Sequence, residues 1–343
     1  MTKETSQILK GVAILLMIYL HLFNKMSNVE LCDTWIDIRG VPLVHLLTNL
    51  CCPVPIFLIL SGYGLFKAWQ KGDKNRWGRI IKLMIHYWVI LIVFVCVGHF
   101  IKPDQYPGSF YKIILNFTGF DPSYNSELWF LFPYLMVSII SPYLFKISSR
   151  FRWYWVIGIT LLIYVGTLFI MTRTIETLPL NVKWNLKILL NIPLFLFNFS
   201  LGMVAARSHL YEKITSKIKI KKTLYSTLAW IGIIAVAGLN FIFKYNFFYA
   251  FILISLLNFV AFPSLIKTTL IKLGNQSMNM WMIHSWFCFH LFHDFIYSIK
   301  YPILIFIALT IISYCLSLVF NLLCEPFENR ILTKREIKEK PIL

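Results

Sequence analysis

Apolar residues fall along this chain in long unbroken runs, and each run is about as long as a bilayer is thick. A spanning helix needs about 20 mostly apolar residues. Ten stretches meet that test: 6–23, 43–66, 79–101, 127–145, 153–171, 187–206, 223–243, 247–266, 276–297 and 301–323. The pattern predicts an all-α, polytopic membrane protein of about ten transmembrane helices. The first run is short and contains Lys10. No small-residue cleavage site follows it and Asn24-Lys25 comes next, so it reads as a retained anchor. The longest outer connection, roughly 102–126, is punctuated by Pro103, Pro107, Gly108, Gly119 and Pro122, which mark turns. No linker is long enough for a second domain, so residues 1–343 read as one membrane-embedded domain with a core of about 6–325.

Composition narrows the class. The chain is 58% hydrophobic and 14% charged, against roughly 45–50% and 25% for an ordinary soluble domain. A soluble enzyme, a disordered chain and a disulfide scaffold are excluded. The aromatic share of 17% suits lipid-facing helices with Tyr and Trp near the interfaces. Seven cysteines without a repeating ligand spacing point to neither a disulfide framework nor a metal. The net charge of +18 would suggest nucleic acid on a soluble protein, but its placement gives another reason. In the ten-span topology, 24 of the 33 Lys and Arg residues lie on the side of the N-terminus and 9 on the other. Positive loops stay inside, so both termini are expected in the cytoplasm, with membrane lipids and not nucleic acid as the partner of the charge.

Ionisable residues inside spans are costly and mark functional candidates. Lys10 and His21 are eleven residues apart, which puts them on one helical face about 16 Å apart along the axis. His21 lies toward the outer third, and its imidazole can take a proton near neutral pH. The second span ends Ser61-Gly62-Tyr63, small enough for a backbone or ligand to approach closely. Arg79, Lys82 and His86 share one face as the third span enters the membrane. They suit either a phosphate-bearing ligand or anionic lipid headgroups. Glu127, after Ser126, opens the fourth span at the outer mouth, level with His21. The ninth span places His284 near mid-membrane on a face with Trp281, Met280 and Ser277. Further out, His290 and Asp294 are an i, i+4 pair expected to bond each other.

Several of these segments occur together in a known family. The chain resembles the integral-membrane acyltransferase 3 family, bacterial O-acyltransferases of cell-surface glycans. The likeness rests on Lys10-Gly11 through His21, Val54-Pro55 through Ser61-Gly62-Tyr63, and Arg76-Trp-Gly-Arg79. It continues in Ser126-Glu127-Leu-Trp129-Phe130-Leu131, in Leu273-Gly274 through His284, and in Glu325-Pro326. The family pattern begins with arginine where this chain has Lys10, so charge is kept and bidentate bonding is not. Some relatives carry an extracellular hydrolase-like domain; this chain looks like the stand-alone form.

The resemblance implies transfer of an acyl group, most often acetyl, from cytoplasmic acyl-CoA to a carbohydrate hydroxyl, with no metal, in the plasma membrane of a bacterium. It implies His21 as base or acyl relay with Glu127 beside it. The donor would be held by Lys10, Arg76, Arg79, Ser61 and Tyr63, and the acceptor side or acyl channel shaped by Trp129 and His284. Tyr19, Ser61 and Ser285 are the hydroxyls suggested for the oxyanion. Two other functions compete. A polyprenyl-linked glycan flippase or polymerase would favour a large basic outer loop, whereas 102–126 carries only Lys102 and Lys112. A small-molecule transporter would favour paired, broken halves, and Pro55 and Pro193 show no such pairing.

Overall fold

The computed structural model describes residues 1–73, 76–173, 180–218, 221–243 and 248–339, with side chains for all except 76, 180, 181 and 332–339. The helices that organise it are α1 (Lys3–Phe23), α2 (Pro53–Gln70), α3 (Arg76–Ile101), α4 (Leu131–Ser148) and α5 (Trp153–Arg173). They continue as α6 (Leu180–Arg207), α7 (Lys222–Phe243), α8 (Tyr249–Leu257), α9 (Ser264–Ile283) and α10 (Pro302–Glu339). Eight segments among the described residues are long and apolar enough to cross a membrane, built on α1 to α7 and α10. In lipid a helix satisfies its backbone internally, which is why apolar runs of this length become helices.

The eighth and ninth predicted spans are built differently from the expectation. α8 has nine residues, about 14 Å of helix. A non-helical stretch then leads to Pro263, which stands immediately before α9 as its N-cap. Proline fixes φ, lacks an N–H and disfavours helix in the residue before it, so it suits a helix start and not a helix middle. The chain still traverses the bundle here. Tyr249 bonds the Leu50 carbonyl (3.1 Å) near the distal end, the end that holds His21. Twelve residues on, the Ala261 N–H donates to the Ser226 hydroxyl (2.9 Å) near the start of α7. That hydroxyl supplies a partner the missing helix does not. α9 then runs unbroken through both predicted boundaries and stops at Ile283.

Two helix pairs meet backbone to backbone through glycine. A Cβ on Gly62 of α2 would lie 2.0 Å from the Phe199 carbonyl oxygen of α6, and one on Gly202 of α6 would lie 1.9 Å from that of Ile59. In the same reciprocal way, a Cβ on Gly11 of α1 would meet Leu270 O of α9 at 2.1 Å, and one on Gly274 would meet Gln7 O at 1.9 Å. Small residues permit such contacts between helices in lipid. α1 and α6 are central, whereas α5 and α7 are largely exposed and face outward.

Distal connections position the fourth segment. The helix Phe110–Thr118 is capped by Ser109 and closed by Gly119 at φ 72°. Buried Asn116 accepts from the Tyr124 N–H (3.0 Å) and donates to Ser123 (2.9 Å), pinning the loop that leads into Ser126.

Candidate active site

Three segments converge at the distal end. His21 lies in the last turn of α1, His284 follows the end of α9, and Glu127 sits in a short 3-10 turn, Ser126–Phe130, that leads into α4. His21 Nδ1 and His284 Nε2 are 2.7 Å apart with the two rings stacked 9° from parallel. His284 Nδ1 lies 3.0 Å from the Met280 carbonyl. A carbonyl only accepts, so His284 Nδ1 carries the proton and its Nε2 is the lone-pair side. His21 Nδ1 must then donate to His284, which leaves His21 Nε2 as its basic atom. That atom faces Glu127 Oε2 at 3.4 Å. His284 is fully buried and His21 nearly so (7% exposed), while the Glu127 side chain keeps 18% of its surface open. The result is a directional relay: a carbonyl fixes one imidazole, that imidazole fixes the next, and the last lone pair points toward the more open side.

A cavity of about 330 Å³ occupies the other end of the same helices. Lys10, Arg79 and Lys82 line its basal mouth, the end at which α1 begins, and Ser61, Tyr134 and Ser138 line its middle. Met17, Phe130 and Trp281 also line it. They stand one helical turn basal of His21, one turn after Glu127 and one turn before His284 respectively. Phe130 meets the Trp281 ring edge-on at 5.4 Å and stacks on Tyr134 at 5.2 Å. The imidazoles themselves are outside the cavity. An aromatic partition separates a cation-lined chamber from a basic nitrogen.

Residues 6–322 match the pattern of an acyltransferase domain, the acyltransferase 3 type. The chain belongs to the acyltransferase 3 family. A search of curated proteins finds no match. A search of solved structures finds none either. Family membership together with eight apolar helices among the described residues makes this a multi-pass membrane acyltransferase.

Within the acyltransferase, the residues expected at the site separate into three groups. His21, Glu127 and His284 come together. Lys10, Arg79 and Ser61 line the basal cavity. Arg79 donates to Asp73 (2.9 Å) and Ser61 meets the Tyr134 hydroxyl (3.2 Å), whereas Lys10 makes no hydrogen bond or ion pair among the described residues. Arg76 begins α3, but its side chain lies outside the described residues.

Tyr63 and Trp129 do not line the cavity. The Tyr63 hydroxyl bonds Glu212 (3.2 Å) and accepts from the Met1 ammonium (3.0 Å). Burial works to raise the Glu212 carboxyl, but hydrogen bonds from its own backbone N–H, Met1 and Tyr63 hold it below the usual carboxylate range. Tyr63 sits two positions beyond Ser61, so the helix turns it about 160° away. Trp129 packs on Phe195 (5.9 Å) and edge-on to Phe130 (6.4 Å).

One other expectation is corrected. Asp294 bonds His293 Nδ1 (2.9 Å) and not His290; that hydrogen bond pulls its carboxyl below the ordinary value. The turn ends at Cys288 and a new one starts at His293, so the i, i+4 spacing is not helical there. Of the suggested oxyanion donors, Tyr19 is committed to the Val44 carbonyl (2.9 Å) and Ser61 to Tyr134, while the Ser285 hydroxyl is buried without a partner. Met17, Phe130, Tyr134 and Trp281 escaped the sequence reading as cavity walls, because apolar and aromatic residues carry no mark in a chain full of them.

Proposed function

We propose that the acyltransferase moves an acyl group, most often acetyl, from acyl-CoA bound at the basal, cytoplasmic end to a hydroxyl of a surface or lipid-linked carbohydrate at the distal, outer end. The setting is the plasma membrane of a bacterium. The observation that carries this reading is the opposition, across one helical turn, of a cation-lined chamber and an imidazole nitrogen that faces the Glu127 carboxylate at 3.4 Å. A donor with phosphates at Lys10 and Arg79 extends its thioester along the chamber and alongside Phe130, past the aromatic partition, so that the carbonyl meets the acceptor beside His21 Nε2. The acceptor hydroxyl reaches His21 Nε2 from the Glu127 side. Nε2 takes the hydroxyl proton as the oxygen attacks the thioester carbonyl. The C–S bond then breaks, the thiolate leaves, and the proton returns from the imidazolium to sulfur, which gives ester and free thiol. Met280 and His284 hold His21 in the tautomer this requires.

Acetyl-ester analysis of surface polysaccharide with and without the protein tests the reaction; equal ester content would remove the reading. For the donor, Lys10→Ala is expected to raise KM for acetyl-CoA by about tenfold or more with kcat little changed. A hydrogen bond to a charged group contributes about 1.5–3 kcal/mol, and about 1.4 kcal/mol is tenfold. An unchanged KM would take Lys10 out of the donor site.

The aromatic partition makes a separate prediction about chain length. Phe130→Ala is expected to raise kcat/KM for butyryl-CoA relative to acetyl-CoA by about tenfold or more, since one methylene in an apolar pocket is worth about 1–3 kcal/mol. Competition between the two donors measures it. An unaltered ratio would mean that Phe130 does not bound the acyl group.

A further inference from the structure

A second cavity, of about 430 Å³, adjoins the first and shares Lys82 and Met278 with it. Its chemistry is different. The first is mostly apolar with cations at the mouth; the second is lined by side-chain amides and carboxylates from α9 and α10, among them Asn275, Gln276, Asn329, Glu325 and Glu328. So many amides near the end of a membrane helix need partners, and part of the set is organised into a chain. Asn321 donates to Gln276 Oε1 (2.6 Å), and Asn279 donates to Asn321 Oδ1 (2.9 Å) and to the Ser317 carbonyl (3.2 Å). Those two bonds orient the Asn279 amide, so its oxygen faces His86 Nδ1 (2.7 Å). His86 Nε2 is 2.5 Å from Glu328 Oε1, and Lys82 donates to Glu328 Oε2 (2.7 Å). His86, expected from its spacing to share a face with Arg79 and Lys82 toward a phosphate-bearing ligand or anionic lipid headgroups, is instead the buried brace of this wall. The bracing leaves Gln276 Nε2, Asn275, Asn329 and the exposed Glu325 carboxylate to offer donors and acceptors to an occupant.

We propose that this amide-lined cavity seats the purine nucleoside of the thioester donor, an inference that rests on the acyl-CoA reading above. A 6-aminopurine presents a donor and an acceptor side by side, the pair that a carboxamide matches with two hydrogen bonds. A carboxylate accepts from the exocyclic amine or from the ribose 2′-hydroxyl, the one ribose hydroxyl that CoA leaves free. The volume lies within the range of roughly 300–1,000 Å³ usual for ligand sites. Lys82 stands at the junction of the two cavities, where a phosphate between nucleoside and thioester arm would pass. The donor then lies bent, with its base between α9 and α10, its phosphates at Lys82, Arg79 and Lys10, and its arm in the apolar chamber.

Acetyl-CoA and S-acetylpantetheine, which lacks the nucleotide, separate this inference from the reading beneath it. In the purified protein, Gln276→Leu and Glu325→Gln are each expected to raise KM for acetyl-CoA about tenfold, the effect of one lost hydrogen bond. KM for S-acetylpantetheine and kcat with either donor are expected to stay at the wild-type value. A photoreactive 8-azidoadenine analogue of CoA is expected to label wild-type peptides from 275–279 or 321–329, in competition with CoA, which answers the question even if a variant folds poorly. Labelling elsewhere, or an unchanged KM in both variants while the wild type still prefers acetyl-CoA, would place the nucleoside somewhere else. Equal use of the two donors by the wild type would overturn the nucleoside seat and leave the thioester reaction standing. Use of neither donor would remove the donor reading and this inference together.

Discussion

His21→Ala is expected to lower kcat by about 10²–10⁴, the contribution of a positioned general base, with KM for the donor little changed. The size follows from its place in the relay. His21 Nε2 is the basic nitrogen left once Met280 has fixed His284 and His284 has fixed His21. Alanine removes that atom and leaves the hydroxyl without an acceptor for its proton. His284→Ala acts through another group and is expected to cost less: the lone pair remains, but nothing holds the proton on Nδ1. An intermediate loss of kcat at unchanged donor KM marks His284 as a positioning residue. Glu127→Gln keeps shape and removes charge, so a change in the pH profile of kcat distinguishes an ionic role from a steric one. Radiolabelled acyl transfer into glycan measures all three. Full activity in His21→Ala would remove the imidazole from the chemistry.

Gly202→Ala is expected to be among the most damaging single methyl additions at the described residues. Its Cβ would lie 1.9 Å from the Ile59 carbonyl oxygen, a backbone atom with no rotamer to escape into. Overpacking costs about 1–3 kcal/mol where side chains can shift, and here α2 and α6 must separate. The loss is expected at or above the top of that range, read as a drop in Tm of the detergent-purified protein. Gly64→Ala, in the same α2 but with nothing within 4 Å of its Cβ, is the control. There alanine is expected to stabilise slightly, by about 0.5–1 kcal/mol from helix preference. Equal Tm values for the two variants would mean that the helices do not approach as described.

Much of this was legible in the sequence, for physical reasons that can be named. A run that must bury its backbone polarity in lipid has few alternatives to a helix, so most spans were readable within a few residues. Lys10, His21, Glu127 and His284 stood out because each is costly where it lies. What stayed hidden depends on where a helix stops. The nine residues of α8 and the start at Pro263 look like one apolar run with a proline near its end, and hydropathy does not distinguish helix from extended chain when both are apolar. The wrong partner for Asp294 has the same origin, since i, i+4 spacing holds only inside an unbroken helix. The wall of Asn279, His86 and Glu328 joins three helices remote in sequence. Its polar residues were visible singly, but hydrogen-bond partners a hundred or more residues apart leave no local trace.

The reciprocal glycine contacts between α1 and α9 have a consequence for the relay. Gly11 precedes His21 by ten residues, and Gly274 precedes His284 by the same ten. Both helices run the same way, so the two glycines act as a gauge block about 15 Å from the imidazoles they align. A slip of one residue at that block shifts one ring against the other by about 1.5 Å, more than a 2.7 Å hydrogen bond tolerates. The calibration of the proton relay is therefore kept near the middle of the two helices, about three turns from the rings, in two residues with no side chain at all.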